Sequence, residues 1–207
     1  MKESLAEKFR KIGATDKHVR HCYGDFYGPY FRHNKDKVKN VLEIGTSAGG
    51  GELVAFSEFF PNAKIYAVDI RELRFFPNSK DWKIPESIKF LCGDAYDSIF
   101  LDRHFSDINF DYILDDGPHS KESQVFTLNY FFNKLNKDGC IMVEDVDTDN
   151  IRWIYDHFLG DRRYLSVIDR RNCPNAASDE NVLLYCPDDD VNTVLLDHPL
   201  TPLGSPT

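Results

Sequence analysis

Apolar residues fall in short blocks along this chain, and the blocks alternate between a strand-like and a helix-like period. Val41-Leu42-Glu43-Ile44-Gly45 reads as a buried strand that breaks into the loop Gly45-Thr46-Ser47-Ala48-Gly49-Gly50-Gly51. Leu53, Val54, Phe56 and Phe59 then mark a helix, Pro61-Asn62 turns the chain, and Ile65 to Ile70 forms a second strand that carries Asp69. After a loop through Pro77 and Pro85, Ile88 to Cys92 is a third strand, closed by Gly93-Asp94. Tyr112 to Leu114 is a fourth strand and Cys140 to Val143 a fifth. Between them lies a helix from Lys121 to Leu135, with Val125, Leu128, Phe131, Phe132 and Leu135 facing inward. A helix from Ile151 to Leu159 precedes two runs, Leu165 to Ile168 and Val182 to Tyr185, spaced as a hairpin-like pair. Strands alternating with helices predict a single α/β domain built on a parallel sheet.

The two ends depart from this alternation. Leu5, Phe9 and Ile12 predict a short helix stopped by Gly13. The stretch from Thr15 to Phe31 shows neither period and is crowded with Tyr23, Phe26, Tyr27, Tyr30 and Phe31. It is either an irregular plug at the edge of the core or a lid over a ligand site. His18, His21 and His33 nearby, at spacings of 3 and 12, match no familiar metal site. Acidic Asp188 to Asp190 and the closing HPLTPLGSPT predict a flexible tail. The expected divisions are 1–39 as N-terminal helix and aromatic segment, 40–187 as the main domain, and 188–207 as tail.

Composition narrows the partners. Lys and Arg number 25 against 34 Asp and Glu, a net charge of -9, which argues against nucleic acid and favours a small molecule. The five cysteines are scattered without a C-x-x-C and read as reduced thiols, which points inside the cell. MKESLAEKFRKIG lacks the apolar region of a secretory signal, and no run is long enough to span a bilayer, so the expected location is the cytoplasm.

The chemistry gathers where strands end. Ligands of a parallel α/β sheet bind beyond the carboxyl ends of the strands, and the Gly45 loop lies there. It lacks the G-x-G-x-x-G of a dinucleotide site, with Ser47 where the second glycine would stand, and no Gly-Lys-Ser/Thr follows as in a phosphate loop. Glu43 beneath that loop, Asp69 on the second strand and Asp94 after the third suit an adenosine that carries positive charge, S-adenosylmethionine. Each acid taken singly could instead be a cap. Asp115-Asp116 and Glu144-Asp145 end the fourth and fifth strands, a set of hard oxygen donors suited to Mg²⁺ or Mn²⁺. Carboxylates so clustered need either a metal or a basic partner. His119, three residues past Asp116, is placed to take a proton.

These residues resemble the S-adenosylmethionine-dependent O-methyltransferases, in particular the metal-dependent sugar methyltransferases of the macrocin and mycinamicin type and their cephalosporin hydroxylase-like relatives. The resemblance runs through Thr15-Asp16-Lys17, Tyr27 and Tyr30, VLEIG at 41–45, FPNAKIYAVDI at 60–70, GDAYD at 93–97, DDGPH at 115–119 and VEDV at 143–146. DDGPH is its most specific element, with Glu144 following 28 residues after Asp116. It implies a Rossmann-like class I methyltransferase with a mostly parallel seven-stranded sheet and an antiparallel C-terminal strand. It further implies Asp116, Glu144 and Asp145 as Mg²⁺ ligands, His119 as general base, and Glu43, Gly45, Ser47, Asp69, Asp94 and Asp115 on the cofactor side. The implied acceptor is a hydroxyl of a sugar or glycosylated small molecule, and a homo-oligomer stays open. The glycine-rich GTSAGGG loop departs from the family pattern, and the family's larger members carry an N-terminal domain not seen in this sequence. Two other classes share parts of the pattern, a nicotinamide-dependent oxidoreductase and a non-catalytic relic of the fold.

Overall fold

In the computed structural model, residues 4–12, 17, 23, 27, 31, 35–46, 50–72, 85–169, 181–187 and 200–202 are described. Five strands form the parallel part of the sheet: β1 Asn40–Ile44, β2 Lys64–Asp69, β3 Ile88–Cys92, β4 Phe110–Asp115 and β5 Leu135–Val146. β6 Leu165–Asp169 and β7 Asn181–Tyr185 pair antiparallel, as their hairpin-like spacing predicts, and β7 also runs antiparallel to β5. The order is β3-β2-β1-β4-β5-β7-β6-β8, where β8 is the three-residue edge strand Leu200–Pro202. The seven-stranded, mostly parallel sheet with an antiparallel C-terminal strand is therefore present. Part of the segment expected to be a tail extends it by one short strand; its other residues, and His18, His21 and His33, lie outside the described residues.

Side chains alternate across each strand, and this divides the core in two. Val41, Tyr112, Leu114, Cys140 and Met142 face one side, where α1 Leu5–Ile12 and α2 Gly51–Phe59 pack. Leu42, Ile44, Ile113, Ile141 and Val143 face the other, covered by α3 Ser98–Phe105, α4 Lys121–Phe131 and α5 Thr148–His157.

Three elements differ from the sequence pattern. α3 was not legible from apolar spacing, because only Leu101 and Phe105 are buried; it is started by the Asp97 carboxylate, which accepts from the Ile99 N–H. α4 stops at Phe131, and after a 3₁₀ turn Leu135 already pairs with Phe110 in the sheet. The aromatic stretch does hold a period: Tyr23, Tyr27 and Phe31 are helical, four residues apart and buried in a continuous stack.

The order places the switch point between β1 and β4, and their ends are knitted tightly. The Asp116 N–H donates to the Ile44 carbonyl, and the Gly45 N–H to that of Val68. Gly45 has φ +79°, and a Cβ there would lie 2.1 Å from the Asp116 carbonyl oxygen. Gly45→Ala is therefore expected to lower stability by about 2 kcal/mol or more, since the left-handed backbone alone costs ~1–2 kcal/mol and the clash is with main chain. Denaturant unfolding of the variant measures this, and a loss below ~0.5 kcal/mol would contradict the close approach.

Candidate active site

Alternation also sorts the acids at the switch point. Asp115 and Asp116 are consecutive at the end of β4, so their side chains leave on opposite faces. Asp115 turns toward α3 and α4, where its carboxylate accepts from the Thr127 and Tyr96 hydroxyls and the Gly117 N–H. Burial pushes its pKa up, and those three donors pull it back. Asp115 thus braces the DDGPH turn from behind, and Asp116 faces the N-terminal segment.

On that face lies the basic partner that clustered carboxylates require. Lys17 is 1% exposed, and its ammonium donates to Asp116 Oδ2 at 2.9 Å and Glu144 Oε2 at 2.7 Å, with Glu43 Oε1 3.7 Å away. Burial works against the charged ammonium, but Asp116, Glu144 and Glu43 outweigh it and raise the Lys17 pKa well above 10.5. Lys17 was visible in the sequence only as part of the TDK motif, because a single lysine in a polar stretch carries no burial signal. Glu144 is 1% exposed, and its second oxygen, Oε1, accepts from the Tyr27 hydroxyl. Burial raises the Glu144 pKa, and Lys17 opposes the shift.

Asp145 does not follow the alternation. It has φ +51°, and the β5–β7 register shifts between Val143 and Val146. A left-handed non-glycine residue is strained, and such strain concentrates at functional sites. The departure lets Asp145 Oδ1 accept from the Tyr23 hydroxyl at 2.5 Å. His119 is likewise left-handed, at φ +57°. Its Nε2 lies 3.8 Å from Asp116 Oδ1 and 3.8 Å from Asp145 Oδ2. Asp116, His119 and Asp145 each offer a ligand atom within 4.8 Å of the others; the two carboxylates fit a divalent cation, with the imidazole beside them. Of the four residues expected at the metal and base site, the structure brings these three together, while Glu144 faces Lys17 and Tyr27.

The cofactor-side residues divide as well. Asp69 is buried and accepts from the Thr46 and Arg71 N–H groups, so it shapes the Gly45 loop. Asp94 is exposed beyond β3 and accepts from the Tyr96 N–H. Glu43 is fully buried on β1, and neither of its oxygens makes a hydrogen bond among the described residues. Ser47 lies outside the described residues.

Comparison with known proteins bears on the family and the fold. The family described as "Methyltransferase domain" matches residues 42–146. The 8-demethyl-8-alpha-L-rhamnosyl tetracenomycin-C 2'-O-methyltransferase of Streptomyces olivaceus is 31% identical over 146 residues, 65% of this chain and 35% of that protein. The mycinamicin VI 2''-O-methyltransferase of Micromonospora griseorubida is 29% identical over 135 residues, 62% of this chain and 32% of that one. The chain thus spans about a third of the length of the curated relatives it matches. Among solved structures, the MycE methyltransferase of the mycinamycin biosynthetic pathway, in complex with Mg and SAH, superposes with a TM-score of 0.62 at 26% identity, over 74% of this chain and 42% of that one. An O-methyltransferase from Bacillus cereus in complex with SAH, 14% identical, shares the fold with a TM-score of 0.58 over 90% of this chain and 92% of that one.

The buried Glu43 makes stability depend on pH. Burial first, then the Glu52 charge, raise its pKa well above the 4.5 of an exposed glutamate. The folded protein therefore holds this proton more tightly than the unfolded chain. The stability this contributes is full below 4.5 and is lost as pH rises through the raised folded value. Glu43→Gln, which cannot ionise, should gain stability relative to wild type as pH rises above 4.5, as read by thermal unfolding of both proteins over a pH series. A difference that stays constant with pH would contradict the assignment.

Proposed function

We propose that this chain, which belongs to the methyltransferase domain family, is an S-adenosylmethionine-dependent O-methyltransferase that acts on a sugar hydroxyl of a glycosylated small molecule, with Mg²⁺ or Mn²⁺ assisting. The observation that carries this reading is the convergence of Asp116, His119 and Asp145 at the carboxyl ends of β4 and β5, beside the switch point. The relatives named as methylating 2' and 2'' oxygens of sugar-bearing compounds support the acceptor class. The MycE structure with Mg and SAH supports the two cofactors.

Asp116 and Asp145 would hold the cation, with Glu144 as the third acid of the set. In the present conformation Glu144 would have to exchange its bond to Lys17 or Tyr27 to reach it. The carboxyl ends of β1, β2 and β3, which carry Gly45, Asp69 and Asp94, would receive the cofactor, with Glu43 buried beneath. When bound, the cofactor supplies an electrophilic methyl group and the cation supplies Lewis acidity at a hydroxyl oxygen.

The remaining steps belong to the chain's own groups. His119, partly exposed, accepts the hydroxyl proton at Nε2, which lies 3.8 Å from Asp116 Oδ1 and from Asp145 Oδ2, beside the acids that would hold the cation. Its backbone is left-handed, and its ring faces Asp116 Oδ1 and Asp145 Oδ2. Asp115 keeps the turn beneath it fixed through Thr127 and Tyr96, which lowers the cost of orienting the two reactants.

Two outcomes are expected with rhamnosyl tetracenomycin and mycinamicin VI as acceptors. Chelation with EDTA abolishes methyl transfer, and added Mg²⁺ restores it; full activity in EDTA would overturn the metal role. His119→Ala lowers kcat by about 10²–10⁴-fold, while S-adenosylhomocysteine affinity measured by calorimetry stays within about twofold.

A further inference from the structure

The carboxylates proposed to hold the cation each use their two oxygens differently. Asp116 Oδ1 and Asp145 Oδ2 face His119, and the opposite oxygens, Asp116 Oδ2 and Asp145 Oδ1, accept from Lys17 and Tyr23. Both donors come from the N-terminal segment and both are 1% exposed. The same segment supplies Tyr27 to Glu144, so all three acids of the set are gripped from one side by residues within ten positions of each other. Tyr23 is itself fixed. Its ring lies 5.6 Å from that of Tyr27, which stacks on Phe31 at 5.3 Å, and the Lys17 ammonium stands 5.9 Å from the Tyr23 ring centroid. Its phenol hydroxyl is the donor to Asp145 Oδ1.

We propose that Lys17 and Tyr23 are positioning residues for the cation site: by holding the rear oxygens of Asp116 and Asp145, they aim the front oxygens at the space beside His119. This inference rests on the cation reading above. An aspartate carboxylate turns easily about its last torsion, whose minimum is broad, so without a rear donor the front oxygen samples many directions. A donor on the rear oxygen removes that freedom before the cation arrives. Partners that orient metal ligands in this way typically account for about 10–100-fold in metal affinity. Lys17, Tyr23 and Tyr27 thereby form the back wall of the cation site.

Tyr23→Phe tests the assignment, since it keeps the ring and its stack and removes only the hydroxyl. Mn²⁺ binding is measured on the full chain by electron paramagnetic resonance, with S-adenosylhomocysteine affinity and thermal midpoint measured in parallel. The variant should bind Mn²⁺ about tenfold more weakly, with S-adenosylhomocysteine affinity unchanged within about twofold, a split that a general loss of packing would not give. Lys17→Met should also weaken Mn²⁺ binding, and Lys17→Arg should recover part of it. Equal Mn²⁺ affinity in Tyr23→Phe and wild type would overturn the proposal while leaving the cation site standing. Tighter binding in Lys17→Met would show that Lys17 competes with the cation, and would overturn its positioning role. If the wild-type chain binds no Mn²⁺, the cation reading and this inference fall together.

Discussion

The buried ammonium of Lys17 underlies the carboxyl edge of this sheet. Glu43, Asp116 and Glu144 project onto one face, and Lys17 is the cation that lets them stay there. An isolated ionised group in such a place is strongly disfavoured, and removing one partner of a buried pair typically costs about 3–5 kcal/mol because the other charge is stranded. The N-terminal segment is therefore tied to the sheet by electrostatics as well as by its aromatic stack. The stack secures the segment against α2 through the Phe31–Phe56 and Phe31–Phe60 contacts, and Lys17 sets where the acids point.

Given that charge, strand geometry does most of the sorting. The two-residue period sends Asp115 to the helix-covered face as a brace and Asp116 to the lysine face. Glu144 keeps the period and meets Lys17. Asp145 breaks it through a left-handed backbone and a register shift, and so joins Asp116 and His119. Two adjacent acids thus reach the same N-terminal segment from a strand that, if regular, would have pointed them apart.

This explains what the sequence could and could not show. The strands from Val41 to Tyr185 were legible because buried strands are continuous apolar runs, and the acids that end them stood out against those runs. Asp116, His119 and Asp145 were legible as a cluster because DDGPH and VEDV lie on strands that an α/β sheet makes neighbours. The helix Ser98–Phe105 was not, because two buried positions leave too thin a stripe to register as a period. Lys17 was missed as the basic partner because its burial is a tertiary fact: nothing in TDKHVRHCYG indicates that an ammonium will be enclosed by acids far along the chain. The helical spacing of Tyr23, Tyr27 and Phe31 was hidden by the glycines and proline between them.

The grip of Lys17 on Glu144 spans 127 residues of chain, and that of Tyr23 on Asp145 spans 122. Contacts of such long range bear on biosynthesis. At ribosomal rates of roughly 5–20 residues per second, the segment emerges some ~6–25 seconds before the strand that receives it. Through that interval Lys17 remains in water and the aromatic stack has no acidic ceiling. The parallel sheet must assemble first, with the loop-closure cost that non-local pairing carries. The acidic edge can therefore close only once β5 has emerged, and a chain stalled before β5 has the Gly45 turn but neither Glu144 nor Asp145 to meet Lys17 and Tyr23.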